Sequence, residues 1–517
     1  MQDSRTDVAA VSTPHPEAAA AALDVLKSGG NAIDAAVAAT ITLCVVVPYQ
    51  VALGGYGGSL VVYQAKSGKT TCLEFDSCAP AAYRSQLYPS SKVAQHGALS
   101  VGVPGVVAGL DRALREFGTR KWRDVSVRAL HLAEEGFVVN RALRSAFDVL
   151  SRSADKTSLA AILPDGKPLA PGDRWVQKDL ANLLRRLNDD PADFYHGEIP
   201  RQIVAQLRES GGILVAEDFA NYQPRLSEPA HIRYRGFDLL TPPPPSGGLT
   251  SLTILKTLEH FEIPKLDRWG APYFDLLIEA MKIGWRERAE FFGDPDFVRV
   301  PVDELLGEKK ALERADRIRK GEPARDPRLS PGGLHTVNVV AIDRDRNLVS
   351  LTATQGDTWG SHVAIKGLGL ALGHGMSRFT YPDQDPHSPN APAPRKRVQH
   401  NMCPALLTKD RKPVGCVGLP GGTRIVTVTA QLLASVVDFH ASPAEAVDAP
   451  RVHTDGPEPV LCSPELPEQT AGELELMGHK LRRKQPVGGL ANVAVVEPIG
   501  NRITVAGAAG PQAIALL

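Results

Sequence analysis

Hydrophobic spacing along this chain changes character three times. In the first third, short apolar runs alternate with helical spacing. "DVAAVST" reads as a strand, and "HPEAAAAALDVLKSGG" as a helix stopped by Gly29 and Gly30. "NAIDAAVAATITLCVV" predicts a second, deeply apolar helix with Asn31 as its N-cap. "LGGYGGS" then leads into the strand "LVVYQA", its glycines permitting close backbone approach.

From about Pro104 to Pro331 the spacing is mostly helical. "VPGVVAGLDRALREFG", "WRDVSVRALHLAEEGF" and "LTSLTILKTLEHFE" carry it, and "TPPPPSGG" is a rigid turn opening one such helix. Lys309 to Gly333 is charged and contains proline and glycine, which predicts a helix tail and then an exposed linker. Strand patterns resume at Thr336. "HTVNVVAID" and "NLVSLTATQ", around a charged "DRDRN" turn, predict a hairpin, and strands dominate the last third. The chain therefore has a seam just before Thr336, in the kind of polar stretch that is cut most easily.

Composition narrows the classes without choosing one. Hydrophobic and charged fractions of 43% and 22% are those of an ordinary globular protein, and 517 residues suffice for one large domain or a few smaller ones. Fifty-eight basic and fifty-eight acidic residues cancel, which argues against nucleic acid or an anionic membrane as partner. Ala35 to Pro48, the most apolar run, is too short to span a bilayer. The N-terminal stretch lacks the pattern of a signal peptide. Six cysteines without CxxC spacing read as reduced core thiols, and a cytoplasmic location is the expectation.

Familiar catalytic motifs are missing: there is no HExxH, no GxSxG elbow and no Walker A loop. "GGYGGS" also lacks the spacing of a phosphate loop. A threonine that opens a strand is usually there for pleat packing. Cutting the bond between His335 and Thr336 would give it a second use, because the new α-amine can serve as base for the threonine hydroxyl. "GLPGGTRIVTVTAQLLASVVDF" supplies a candidate oxyanion hole. Its Gly421 and Gly422 sit between a strand and an apolar helix, where backbone N–H groups can face developing negative charge.

Taken in order, these pieces resemble the γ-glutamyltranspeptidase family of N-terminal nucleophile hydrolases over nearly the whole chain. "KSGGNAIDAAVAA", "VVPYQVALGGYGGSLVVY", "GVPGVVAGL", "PPPPSGG", "FFGDPDFVRVP", "DRDRNLVSLTATQ", "LPGGTRIV" and "EAVDAPRVHT" carry the likeness. The resemblance implies an α+β fold, a four-layer αββα sandwich whose two central sheets draw on both fragments. It implies autocatalytic cleavage between His335 and Thr336, giving a large fragment 1–335 and a small fragment 336–517 held together as a heterodimer, or a higher oligomer of it. Thr336 becomes the nucleophile, Thr354 the threonine whose hydroxyl bonds to it, and Gly421 and Gly422 the oxyanion-hole amides. The implied reaction is hydrolysis or transfer of an acyl group from a small-molecule amide, with no cofactor and no metal.

Departures from the family pattern fall on substrate reading. Asp76 stands where the family has an arginine for the substrate carboxylate. Arg378 stands where it has an aspartate for the ammonium. His400 and Asn401 replace a pair of serines, Gly356 replaces an asparagine, and Val337-Asn338 replaces the usual Thr-His. Asp76, Arg378, His400 and Asn401 are therefore the candidate substrate-binding residues. Three readings follow: a zwitterion turned round, an Asp76–Arg378 pair in an acylase- or oxamate-amidohydrolase-like pocket, or a biosynthetic branch cleaving another bond. A structural salt bridge between the two residues, and an inactive scaffold, are the blander alternatives. "DQDPHSPNAPAPRKR", Asp383 to Arg397, is expected to form a loop near the pocket mouth.

Overall fold

Alternation along the strands sorts their side chains into separate cores. Along His335–Ile342, Val337, Val339 and Ala341 enter one apolar cluster while Val340 and Ile342 enter another. Along Gly57–Gln64, Leu60 and Val62 join the first cluster and Val61 and Tyr63 the second. A period of two sends successive side chains to opposite faces, so each strand separates two cores. The computed structural model from which this is read describes residues 2–153, 157–163, 165–322, 335–484, 487–497, 500–508, 510 and 513–517.

Two seven-stranded antiparallel sheets result. One runs Ile514–Leu516, Ala10–Ser12, His335–Ile342, Leu348–Gly356, Gly57–Gln64, Lys69–Glu74, Arg225–Ser227. The other runs Ser4–Thr6, Ile503–Gly507, Asn492–Val496, Lys412–Gly418, Ala405–Lys409, Phe237–Thr241, Ala230–Tyr234. Between them lies a core of Val61, Val340, Leu406, Cys416 and Val505 among others. Helices cover both outer faces. Pro16–Lys27 and Ala32–Val46 pack on the first sheet, Gly248–Leu258 and Arg424–Val437 on the second, and Ala271–Phe291 packs against Gly248–Leu258. This is the four-layer αββα sandwich that the resemblance implies, and both sheets take strands from either side of residue 335.

Local chemistry explains why the nucleophile candidate's hairpin sits where it does. Ala32–Val46 is buried at all 15 positions, as an all-round apolar helix must be. Asn31 accepts from the Ile33 and Asp34 amides, and Asp34 accepts the Asn31 N–H at 2.9 Å, closing a capping box. The turn of the hairpin docks on the same helix start, because Asp343 Oδ2 accepts the Ala32 N–H at 2.9 Å.

Two expectations about the middle of the chain need correction. The stretch read as mostly helical also holds Arg225–Ser227, Ala230–Tyr234 and Phe237–Thr241. The last two form a hairpin turned by Arg235 and Gly236, both at positive φ, which adds two strands to one sheet edge. "WRDVSVRALHLAEEGF" forms two helices, Trp122–Val125 and Val127–Glu135, that meet at Ser126. The helix tail before the seam is Glu308–Arg319; residues 323–334 and the His335 side chain lie outside the described residues.

Candidate active site

A bulge places the two threonines. In the hairpin, His335 pairs with Gly356 but Val337 pairs with Ala353, so Thr336 faces an interval that holds both Thr354 and Gln355. The Thr336 and Thr354 hydroxyl oxygens lie 3.1 Å apart, both buried, at 5% and 1% exposure. Thr354 Oγ1 also accepts the Gly356 N–H at 2.8 Å, which fixes its rotamer.

Two residues on, Asn338 bolts the sheets together beneath this pair. Its Nδ2 donates to Ser350 Oγ, the Leu351 carbonyl and Thr352 Oγ1, while Asn492 Nδ2 donates to its Oδ1 and carbonyl. Ser350 Oγ in turn donates to the Val417 carbonyl of the facing sheet. The Val337-Asn338 departure is thus structural: Val337 fills the core and Asn338 satisfies buried polar groups.

The same bolt brings the glycine loop to this end of the sandwich. A Cβ on Gly418, the last residue of its strand, would lie 2.2 Å from Asn338 Nδ2. The chain then turns through Gly421 (φ 145°) and Gly422 (φ 64°), conformations that side chains disfavour, into the helix Arg424–Val437. Among the described residues neither glycine N–H meets an acceptor.

Asp76 reaches the site through the sheet. Gly57 pairs with Thr354, and a Cβ on Gly57 would lie 2.6 Å from Asp76 Cα. The Asp76 carboxylate is completely buried, 3.9 Å from Arg397 Nη1 and 3.8 Å from His400 Nε2. Its carboxylate oxygens and both His400 ring nitrogens lack hydrogen-bond partners among the described residues. Burial lifts the carboxyl above the ordinary carboxylate range, with Arg397 pulling it back. Burial, with Arg288 and then Arg397, drops His400 to about 3, so its ring is neutral.

An Asp76–Arg378 pair is not what the structure brings together. Asp76 has Arg397 as its cation, and Arg378 donates from Nη2 to His374 Nε2 at 2.7 Å. Asn401 faces Arg288 instead, whose guanidinium donates to Asn401 Oδ1 at 3.1 Å, the His400 carbonyl at 2.7 Å and the Ser246 carbonyl at 3.2 Å. Those bonds tie the "PPPPSGG" turn to the His400–Asn401 strand entry, and burial pulls Arg288 down to about 9. The Asp383–Arg397 stretch is largely irregular, as expected, and it delivers Arg397 to Asp76.

Four residues of this site escaped sequence reasoning: Tyr56, Arg288, His374 and Arg397. Tyr56 sits inside "GGYGG", where a Cβ on Gly373 would lie 2.2 Å from its backbone nitrogen. Burial pushes its phenol up to about 12, while Arg378, Asp76 and Arg288 all act on it electrostatically. The signals available were slight: an aromatic between glycine pairs, and the histidine of "GHGMSRF" beside a residue already singled out. Chemically, the assembly offers a paired hydroxyl at a strand start, a glycine loop whose amides meet no acceptor among the described residues, and a cluster of arginines about Tyr56 and Asp76.

The chain matches known proteins over most of its length. A family model described as Gamma-glutamyltranspeptidase matches residues 18–513. The chain is similar to an Acylase ACY 1 proenzyme of Pseudomonas sp. (strain SE83), 36% identical over 520 residues covering 96% of this chain and 91% of that one. It is similar to a Glutathione hydrolase proenzyme of Pseudomonas sp. (strain A14), 34% identical over 501 residues covering 92% and 87%. Among solved structures, a cephalosporin acylase from Bacillus halodurans superposes with a TM-score of 0.91 at 29% identity, covering 99% of this chain and 96% of that chain.

Proposed function

The chain belongs to the γ-glutamyltranspeptidase family, and we propose that it is a self-processing amidohydrolase or acyltransferase with Thr336 as its nucleophile. The observation that carries this reading is the 3.1 Å approach of Thr336 Oγ1 to Thr354 Oγ1 at the start of a strand. Relatives bearing the word proenzyme support the processing step. Cleavage between residues 335 and 336 divides the chain into a large fragment 1–335 and a small fragment 336–517, and frees the Thr336 amine.

That amine takes the hydroxyl proton as Thr336 Oγ attacks the amide carbon. Thr354 holds the hydroxyl in line, and the Gly421 and Gly422 N–H groups stabilise the tetrahedral oxyanion. The C–N bond breaks, the amine leaves with the proton, and an ester remains on Thr336. Water, or an acceptor amine, attacks that ester next and releases the acyl group.

The pocket favours an acyl chain that ends in a carboxylate and carries no α-ammonium. Three guanidiniums, those of Arg288, Arg378 and Arg397, cluster about Tyr56 and Asp76, and Arg397 already stands beside the Asp76 carboxylate. Relatives named as acylases support cleavage of an acyl amide. The test is intact-mass analysis of the small fragment after brief exposure to a panel of acyl p-nitroanilides. A mass increase equal to one acyl group, on Thr336, is the expected result. Turnover without any adduct, or an adduct on another residue, would overturn the assignment.

A further inference from the structure

We infer that His374 is a positioning residue that sets the acyl-group preference by orienting the Arg378 guanidinium beside Gly356. The inference rests on the pocket reading given above. It begins with the hydrogen bonds of one imidazole. Arg378 Nη2 lies 2.7 Å from His374 Nε2, and the Gln95 carbonyl lies 3.1 Å from Nδ1. A guanidinium only donates and a carbonyl only accepts, so the proton sits on Nδ1 and Nε2 is the acceptor. Both neighbours therefore demand the same neutral tautomer. Burial, and then the Arg378 charge, push His374 well below its ordinary value and keep it in that state. A neutral acceptor orients the guanidinium without cancelling its charge.

Packing fixes where that orientation points. A Cβ built on Gly356 would lie 2.2 Å from both His374 Cδ2 and Nε2, so the ring occupies the space a side chain at 356 would need. Gly356 also holds φ at 103°, which a side chain resists. Its N–H is the one that binds Thr354 Oγ1 at 2.8 Å, and Thr354 meets Thr336. The imidazole is thus one glycine away from the threonine pair. The turn Gly375–Arg378 folds back so that Ser377 Oγ donates to the His374 carbonyl at 2.9 Å, and this returns Arg378 to the ring edge. On the far side His96 stacks at 6.3 Å and His362 stacks on His96 at 3.9 Å, bracing the plate.

Glycine at 356 and histidine at 374 therefore fit one another. The absence of a side chain at 356 leaves room for the ring of His374, and that ring carries the acceptor for Arg378. Arg378 then faces an acyl chain leaving Thr336, while Tyr56, Asp76 and Arg288 share its electrostatic surroundings.

The test uses the full-length, self-processed enzyme with glutaryl-p-nitroanilide, whose acyl chain ends in a carboxylate, and neutral pentanoyl-p-nitroanilide. Three variants are compared with the parent. His374→Ala removes the ring, His374→Phe keeps a ring without the acceptor, and His374→Gln restores an acceptor near the Nε2 position. The ratio of kcat/KM for glutaryl over pentanoyl should fall at least tenfold in His374→Ala and His374→Phe, chiefly through KM for the glutaryl compound. Any loss on the pentanoyl compound should be clearly smaller than the loss on the glutaryl one, and the two fragments should still form. His374→Gln should return the ratio to within about threefold. Should His374→Ala fail to fold, His374→Phe decides alone. An unchanged ratio in His374→Phe, an equal loss on both substrates, or no recovery in His374→Gln would overturn the inference. A parent that forms no acyl-enzyme from either anilide sinks the proposed function and this inference with it; a parent that acylates while His374→Phe keeps its ratio sinks the inference alone.

Discussion

Replacing Thr354 by valine removes one buried oxygen that has two partners among the described residues and leaves the strand's β-branched shape in place. Those partners are Thr336 Oγ1 at 3.1 Å and the Gly356 N–H at 2.8 Å. The second loss orphans a buried backbone donor, which costs about 1–3 kcal/mol of stability. The first removes a neutral hydroxyl–hydroxyl bond worth about 0.5–1.5 kcal/mol. At about 1.36 kcal/mol per tenfold, that slows attack by roughly 2- to 13-fold if the bond only orients the nucleophile. Misplacement of Thr336 by the relaxed bulge could raise the loss toward about 10²-fold. Chemical denaturation measures the stability term, and single-turnover acylation well below the unfolding transition measures the rate. KM should hold while kcat falls, since Thr354 acts on the nucleophile and not on the substrate. Thr354→Ser, which keeps the oxygen, should recover most of the rate. Parental acylation in Thr354→Val, or a serine variant as slow as the valine one, would refute this reasoning.

Asp76→Asn tests whether that carboxyl is held above its ordinary range. Because burial raises its folded pKa, the native state keeps the proton to higher pH than the unfolded state. The parent therefore loses stability as pH rises from the usual carboxylate value through the raised one. Measured by denaturant midpoint, Asp76→Asn should gain on the parent as pH rises above the ordinary carboxylate range; an offset independent of pH would contradict the shift. Gly421→Ala should lower kcat with KM held, because φ of 145° strains any side chain by about 1–3 kcal/mol and a Cβ there would lie 3.0 Å from the Gly489 nitrogen. Parental kcat in that variant would remove Gly421 from the oxyanion hole.

The hairpin from Thr336 to Thr354 was legible because two strand-forming runs flank a short charged turn, while the bulge at Thr336 was not. The helix Ala32–Val46 was legible because nothing but burial suits an all-round apolar helix. Ala230–Tyr234 and Phe237–Thr241 were hidden in plain view: "AHIRY" alternates, and the Arg-Gly turn after it is a hairpin signal, but each run is only five residues long in a stretch whose spacing is otherwise mostly helical. Tyr56, Arg288, His374 and Arg397 could not be gathered from spacing, since sheet order alone brings their distant segments to one place. Asp76 was read by its formal charge. Complete burial and an arginine from residue 397 decide what that charge is, and neither is written in the local sequence.

Intact mass of purified full-length protein, followed during incubation, bears most directly on Thr336 as a self-freed nucleophile. The parent should resolve into two species, one ending at residue 335 and the other beginning at residue 336, while Thr336→Ala stays a single chain of 517 residues. A parent that never divides, or a Thr336→Ala variant that divides at the same bond, would contradict the account.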